Sequence, residues 1–168
     1  MFIFLQPIVI KHYSNRQVAA GLVHEFKVDY KLISSGDEQC SLVEVNTSSL
    51  KNSFLRVFLA HTLSPILGDH LYGNRVQDVL GKRLAISPIQ AENLASFQKI
   101  SPNILARLKV NESGRVPTCL HLSQLTLSQF WGKHSDLTIK AEPPPHFRYS
   151  CHALGVHLPT IDTPEMQE

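Results

Sequence analysis

Alternating hydrophobic and polar residues predict a β-hairpin near the beginning of the chain. Residues 26–32 change between apolar and polar at every position, which is the period-two pattern of a strand with one covered face. Residues 34–37 read Ser-Ser-Gly-Asp, a turn-forming sequence, and residues 40–45 provide a second apolar run. We therefore expect two antiparallel strands joined by this turn.

A helical pattern follows the hairpin. Within residues 53–63, large apolar side chains recur at three- and four-residue spacing, which predicts an amphipathic helix. Either Asn52 or Ser53 can cap its N-terminus. A proline and a glycine then begin a compact turn over residues 64–73. Arg56 lies to one side of the apolar face of this helix.

The rest of the chain mixes helical and extended segments without a regular βαβ rhythm. Residues 74–111 are helix-prone but loosely patterned, and Ser87 and Ser101, each followed by proline, are typical helix starts. We further expect a loop at 111–117, strands at 120–127 and 137–141, extended chain at 143–145, a final helix at 147–154, a flexible tail at 159–168, and either a helix or a strand at 16–24. This order predicts an α+β fold with a mixed, mainly antiparallel sheet and flanking helices.

The composition fits one globular domain and narrows the functional classes. The 168 residues are 43% hydrophobic and 18% charged, with a formal net charge of +2. That charge neither requires nor excludes a nucleic-acid partner. Residues 1–10 form the most apolar stretch, which is too short for a membrane span. Basic residues follow this stretch instead of preceding it, unlike in a secretory signal.

The chain carries no pattern typical of a metal or nucleotide site. Cys40, Cys119 and Cys151 are dispersed and odd in number, which argues against a disulfide framework and for a reducing compartment. No C-x-x-C pair is present to hold zinc, and we expect the histidines to serve no metal. Phe130 and Trp131 could stack on a nucleobase, but burial or anchoring of a loop is the favoured interpretation.

Residues 41–73 carry a run of short matches in one register. They are S-L-V-E at 41–44, L-R-V at 55–57, L-A at 59–60, P-I-L-G-D at 65–69 and L-Y-G at 71–73. This run resembles the C-terminal part of the catalytic domain of the RluA-type RNA pseudouridine synthases. The segment 68–81 is similar to the vertebrate mitochondrial messenger-RNA branch of that family. The resemblance extends over residues 26–158, and residues 1–25 are unmatched.

The resemblance implies a reaction and two active-site residues. The family isomerises uridine to pseudouridine in RNA without a cofactor, using an aspartate nucleophile with a basic partner. Arg56 matches that basic partner, and Leu55 matches a residue packed in the active site. Arginine suits the role because its planar fork binds a carboxylate at two points and stays charged. The implied partner is mitochondrial messenger, ribosomal or transfer RNA, with no DNA or membrane, for a monomer in the mitochondrial matrix.

Five residues are candidate RNA contacts. Lys51 and Asn52 stand where the family has G-R-T-H-Q-I, of which the glycine and the histidine are missing here. Arg75, Lys82 and Arg83 form a basic cluster that could touch phosphates. An ordinary solvated face explains this cluster equally well.

The nucleophilic aspartate of the family is not found in this chain. In the family it lies upstream in a motif resembling H-R-L-D-x-x-T-S-G, and none of the six aspartates here has that context. Asp69, in the G-D-x-L-Y-G loop, is expected to bond backbone amides. Neither Tyr30 nor Tyr72 matches the family's active-site tyrosine. The chain is therefore expected to be inactive alone, with Arg56 facing a cavity once shared with a carboxylate from elsewhere.

The missing upstream half also predicts an exposed sheet edge, which residues 1–25 are available to cover. Two alternatives to a pseudouridine synthase relative stay open. One is a non-catalytic RNA-binding or protein-interaction module. The other is a truncated isoform or fragment without a stable fold.

Overall fold

The computed structural model describes residues 7–93, 98–111, 114–132 and 135–159. The helices are α1 (Asn15–Ala19), α2 (Phe54–His61), α3 (Pro88–Asn93), α4 (Pro102–Arg107) and α5 (Pro145–Ala153). The strands are β1 (Val28–Ser35), β2 (Ser41–Thr47), β3 (Val76–Val79), β4 (Lys82–Ala85), β5 (Gln124–Leu127) and β6 (Leu137–Lys140). Single turns of 3-10 helix occur at Lys51–Ser53 and Gly73–Arg75. The expected flexible tail lies almost entirely outside the described residues.

Within these residues the strands form three separate two-stranded antiparallel sheets, β1–β2, β3–β4 and β5–β6. The predicted α+β class with antiparallel pairing is confirmed. Residues 7–25 contain α1 and no strand, so this part of the chain does not extend the β1–β2 sheet. The helix–strand ambiguity at residues 16–24 is settled as a short helix, whose N-cap Ser14 accepts a hydrogen bond from the Gln17 backbone N–H.

The main hydrophobic core surrounds the last helix. Its buried members are Leu108, Val116, Phe147, Cys151, Leu154 and Val156. Cys40 and Leu42, from the turn and second strand of the first hairpin, pack against this cluster. The turn is tied to the end of α5, where Asp37 donates its backbone N–H to the Leu154 carbonyl at 2.9 Å. The first hairpin and the last helix therefore share one core.

A second, smaller core lies beneath α2. Val57 and Ala60 of this helix pack with Tyr72 of the following loop, and Val9 and Val76 border the cluster. The predicted amphipathic helix is confirmed, with bounds two residues shorter at its C-terminal end. Ser53 is its N-cap, but with φ at 53° its side chain makes no capping hydrogen bond. The apolar spacing of α2, and not its cap, thus fixes it in place.

The hairpin β3–β4 corrects the prediction of a loosely helical segment at residues 74–111. Leu80 and Gly81 form its two-residue turn, with φ values of 50° and 77°. Such turns ordinarily carry Asn-Gly or Asp-Gly, because leucine is disfavoured in the left-handed region. The usual sequence signal for a hairpin is therefore missing here.

The two Ser-Pro helix starts are confirmed as α3 and α4. Ser87 and Gln90 exchange side-chain and backbone hydrogen bonds at 3.2 Å across the start of α3, as in a capping box. The strand expected at 120–127 begins only at Gln124, so the prediction is wrong for residues 120–123. None of the described helices has the length and hydrophobicity that a bilayer crossing requires.

Candidate functional site

Arg56 and Asp69 form the central ion pair of the candidate site. Arg56 is on the first half of α2, and its Nε and Nη2 donate to Oδ2 and Oδ1 of Asp69 at 3.1 and 2.5 Å. Asp69 is 1% exposed, whereas the Arg56 side chain is 25% exposed. Two parallel hydrogen bonds fix the plane of the guanidinium as well as its position. From the sequence we expect the carboxylate that pairs with Arg56 to come from outside this chain. In the structure, the loop after α2 supplies a carboxylate to Arg56, that of Asp69.

Asp69 is also bonded to its own loop. Its Oδ1 accepts the backbone N–H groups of Leu71 and Tyr72, each at 3.0 Å. The expectation that Asp69 bonds backbone amides is confirmed. The ion pair of Asp69 with Arg56 is a second role, which the sequence did not predict. Burial acts to raise the pKa of Asp69, but the hydrogen bonds from Arg56 and from these two amides outweigh it and hold the pKa below its ordinary value. Asp69 is therefore a charged structural anchor whose oxygens are engaged.

The loop can hold Asp69 only because Gly68 precedes it. Gly68 has φ at 75°, and a Cβ built there would lie 2.3 Å from the Pro117 carbonyl oxygen. The Gly68 carbonyl accepts a hydrogen bond from Thr118 Oγ1 at 2.8 Å. The glycine of the P-I-L-G-D match is thus required by a close approach between two backbone segments.

The ring of Tyr72 contacts two arginines. The Cζ atoms of Arg56 and Arg75 are 4.9 and 4.8 Å from the centre of its ring. Tyr72 itself is 7% exposed. Cation–π contacts of this kind are worth about 0.5–2 kcal/mol each. The ring therefore adds a second constraint on the direction of the Arg56 guanidinium.

Arg75 is placed differently from the solvated basic cluster that the sequence suggested. It is 7% exposed, and its Nη1 donates to the Pro7 carbonyl at 2.7 Å. Burial lowers the pKa of this guanidinium, against the opposing influence of Tyr72 and Asp69. Its burial leaves little surface for a phosphate. The sequence does not reveal that Arg75 is buried, because the carbonyl that Arg75 binds is 68 positions away.

The remaining predicted site residues lie in three places. Leu55 is 8% exposed and buried next to Arg56 on α2. Lys51 and Asn52 are exposed in the 3-10 turn before α2 and line a shallow surface pocket with His24 and Phe26. Lys82 and Arg83 are exposed on β4, where Arg83 Nε is 3.6 Å from Asp78 Oδ1.

No other aspartate that the structure describes bonds to Arg56. Asp37 pairs with Arg107 at 2.7 Å, and Asp78 pairs with Arg83. Asp136 Oδ1 accepts the backbone N–H of Gln129. The sixth aspartate, at position 162, lies outside the described residues. Arg56 Nη1, however, has no hydrogen-bond partner among the described residues, so one donor edge of this guanidinium remains available.

An aromatic pair and the potential metal ligands lie apart from the Arg56–Asp69 ion pair. Phe130 and Trp131 are 52% and 73% exposed in the turn between β5 and β6. Core burial is therefore wrong for both residues, and anchoring of the loop stays a prediction. Their rings meet edge to face at 4.9 Å. In the parts of the chain that the structure describes, no three His, Cys, Asp or Glu residues are grouped to hold a metal. The three cysteines, distant in sequence, are free thiols at the same core.

Comparison with known proteins gives a consistent set of relatives. No protein-family model matches the chain. It is 28% identical over 154 residues to the mitochondrial mRNA pseudouridine synthase RPUSD3 of Homo sapiens, covering 90% of this chain and 42% of that protein. It is 32% identical over 136 residues to the mitochondrial pseudouridylate synthase RPUSD4 of Bos taurus, covering 79% of this chain and 31% of that protein.

A solved structure supports the same relationship. Human RNA Pseudouridylate Synthase Domain Containing 4 superimposes with a TM-score of 0.56 at 29% identity, covering 79% of this chain and 44% of that chain. The chain thus spans less than half the length of the relatives it matches.

Proposed function

Because this chain is homologous to the RluA-type RNA pseudouridine synthases, we propose that it serves the conversion of uridine to pseudouridine in RNA. The observation that carries this proposal is the fixed orientation of Arg56. Asp69 and Tyr72 fix the direction of the guanidinium, and in the sequence match Arg56 corresponds to the residue that pairs with the nucleophile of the family. Its Nη1 edge then remains to receive a second carboxylate.

Each residue of the site has a distinct role in this proposal. Arg56 pairs with the nucleophilic aspartate and keeps it ionised, since a carboxylate in a closed pocket would otherwise take up a proton. Leu55 packs beneath the reacting base. Asp69 is a positioning residue because its own oxygens are engaged and buried. The chain itself supplies no matching nucleophile, so we expect it to be inactive alone.

The RNA contacts that we propose are the exposed ones. Lys51 and Asn52 border the surface pocket before α2, and Lys82 and Arg83 project from β4. Exposed basic side chains neutralise phosphates and release counterions, which makes such binding dependent on salt. Arg75 has an internal role by contrast, as it binds the Pro7 carbonyl.

The names of the relatives extend the proposal to a compartment. RPUSD3 and RPUSD4 are named as mitochondrial, and RPUSD3 as an mRNA enzyme. These names support a mitochondrial location, and we propose the matrix as the compartment and messenger, ribosomal or transfer RNA as the partner.

The test is RNA binding and turnover by the purified chain. Carbodiimide primer extension on mitochondrial RNA should show no pseudouridine above background, and formation above background would overturn the assignment of inactivity. Binding to single-stranded RNA should weaken with salt, and Lys51→Ala should reduce the slope of log K against log salt by about 0.7. Lys31→Ala, an exposed lysine on β1, is the matched control and should leave the slope unchanged. RNA binding that does not respond to salt would contradict the proposal.

A second candidate function is a non-catalytic RNA-binding module. The observation that favours it is that Asp69, the one aspartate bonded to Arg56 among the described residues, is buried and fully engaged. RNA binding that persists while no added polypeptide restores turnover would select this candidate.

A further inference from the structure

The side chain of Gln98 bonds the backbone of the loop that carries Asp69. Its Nε2 donates to the Ile66 carbonyl at 3.0 Å, and its Oε1 accepts the Gly68 backbone N–H at 2.8 Å. One side-chain amide thus pairs with a backbone acceptor and a backbone donor two residues apart, using both of its polar ends. These bonds cross 32 and 30 positions of the chain, so no local sequence pattern reveals them.

The same side chain packs on the far end of this loop. A Cβ built on Gly73 would lie 2.9 Å from both Cδ and Cγ of Gln98, so the Gln98 side chain lies directly against the Gly73 backbone. Gly73 in turn donates its backbone N–H to the Asp69 carbonyl at 2.9 Å. Gln98 therefore contacts the chain both before and after Asp69 in sequence, which limits the movement of this aspartate.

A different segment holds other atoms of the loop. Thr118 Oγ1 donates to the Gly68 carbonyl, and the Cys119 backbone N–H donates to the Leu67 carbonyl, each at 2.8 Å. The Gly68 N–H is bonded by Gln98 instead. Gly68 is buried, and a buried backbone N–H that loses its partner is costly. We therefore expect the loop to shift around Gly68 when the amide of Gln98 is removed.

A shift of this loop would reach Arg56 through Asp69. Asp69 directly follows Gly68 in the chain, and its two carboxylate oxygens accept Nε and Nη2 of Arg56. A functional group is held in a precise direction only where the residues that contact it are themselves fixed by packing and hydrogen bonds. Gln98 supplies both kinds of contact to the loop on which the direction of the guanidinium depends.

We propose that Gln98 is a positioning residue of the Arg56 site, holding the loop 66–69 in the arrangement that directs the guanidinium. The inference goes beyond the proposed function, which gives Gln98 no role, and rests on it only for the importance of Arg56. A residue that merely stabilised the fold would leave the guanidinium of the folded chain unchanged. The behaviour of Arg56 in the folded state therefore distinguishes the two roles.

The experiment follows Arg56 in the folded full chain by nitrogen-15 NMR. The Arg56 Nε–H signal is assigned by its loss in Arg56→Lys, and the hydrogen bond of this group to Asp69 slows its proton exchange with water. Gln98→Met keeps the length of the side chain and its packing on Gly73 but removes both hydrogen bonds. We expect the Arg56 Nε–H to exchange at least fivefold faster in Gln98→Met than in the wild type.

Gln90→Met is the matched control. Gln90 also accepts a backbone N–H through its side chain, that of Ser87, but at the exposed start of α3. This variant should change the exchange of the Arg56 Nε–H less than twofold. Unchanged exchange in Gln98→Met would overturn the proposal, as would equal acceleration by the two variants.

A second substitution displaces the same side chain from Gly73. Gly73→Ala would place a methyl group 2.9 Å from the Gln98 amide carbon, so the amide must move away from its two partners. We expect at least fivefold faster exchange of the Arg56 Nε–H in this variant as well. Circular dichroism verifies that each variant folds, and wild-type exchange of Arg56 in a folded Gly73→Ala would contradict the proposal.

This measurement involves no RNA, so its result is separate from that of the proposed function. Faster exchange of Arg56 in Gln98→Met, in a chain that does not bind RNA, would support positioning by Gln98 and contradict the RNA assignment. Unchanged exchange in a chain that binds RNA in a salt-dependent way would contradict positioning and leave the RNA assignment standing.

Discussion

At the scale of single residues, the site is organised around a buried carboxylate that the sequence only half explained. The L-R-V match located Arg56, and the glycine-aspartate turn indicated that Asp69 bonds backbone amides. Their pairing was not predictable, because it depends on how the loop folds back across 13 positions. The burial of Arg75 was missed for a related reason, since arginine is normally exposed and its partner is a distant backbone carbonyl.

Removing the charge of Asp69 tests this ion pair. Asp69→Asn leaves Arg56 partly buried without its counter-charge, and we expect the free energy of unfolding to fall by about 3 kcal/mol. Urea unfolding followed by circular dichroism measures the change. Asp78→Asn, which removes a solvent-exposed pair, is the control and should change stability by less than about 0.5 kcal/mol. Equal effects would show that the Arg56–Asp69 pair does not stabilise the fold.

The same residue predicts a dependence on pH. The pKa of Asp69 is lowered in the folded chain from the ordinary value of 3.8, so its contribution to stability is complete above pH 3.8. That contribution is lost as the pH falls through the folded pKa, because the folded state must then take up the proton. The stability difference between the wild type and Asp69→Asn should therefore be constant near neutral pH and shrink below pH 3.8. A difference that grows in acid would refute this assignment of the lowered pKa.

At the scale of elements, the helices and strands that could be predicted are those with a strong local sequence pattern. The helix α2 was found from its apolar spacing, and α3 and α4 from serine and proline at their starts. The β1–β2 hairpin was found from alternation and a turn sequence. The β3–β4 hairpin was missed because Leu80 stands where a turn of this kind normally has asparagine.

Leu80 offers a direct test at this scale. It is fully exposed and has φ at 50°, so its side chain gains no burial and strains the backbone. Leu80→Asn should raise the free energy of unfolding by about 1 kcal/mol, because asparagine tolerates the left-handed region. Leu84→Asn, at an exposed position within β4, should instead destabilise, since asparagine is disfavoured in strands. Thermal unfolding of the two variants measures these changes. Destabilisation by both variants would argue against a left-handed backbone at Leu80.

At the scale of the whole molecule, the fold class was predictable and the arrangement of sheets was not. Interleaved strands and helices indicated an antiparallel α+β protein, and the solved relative supports that class. Which hairpins join one another depends on pairing partners that no local pattern specifies. Within the described residues the hairpins stay separate, with apolar sides of β1–β2 and β5–β6 in solvent.

Substitution of Gly36 tests the connection between the turn of the first hairpin and the end of α5. A Cβ there would lie 2.2 Å from the Leu154 carbonyl oxygen and 2.6 Å from Val156 Cγ2. Gly36→Ala should therefore push the hairpin away from α5 and lower the free energy of unfolding by about 2 kcal/mol. Ser48→Ala, an exposed loop position, should be neutral. Hydrogen exchange should accelerate in both the hairpin turn and the end of α5, and acceleration in only one would contradict their mutual support.

This junction has a consequence for how the protein is made. Ser34 Oγ accepts the backbone N–H of His157, a contact that spans 123 positions. Closing a loop of that length costs about 4 kcal/mol in chain entropy, so the contact forms late. During translation the hairpin leaves the ribosome long before α5 exists, and it must wait in an unfinished state until residues 145–157 have been synthesised. A chaperone that shields early β-structure would therefore act on this protein before α5 is released.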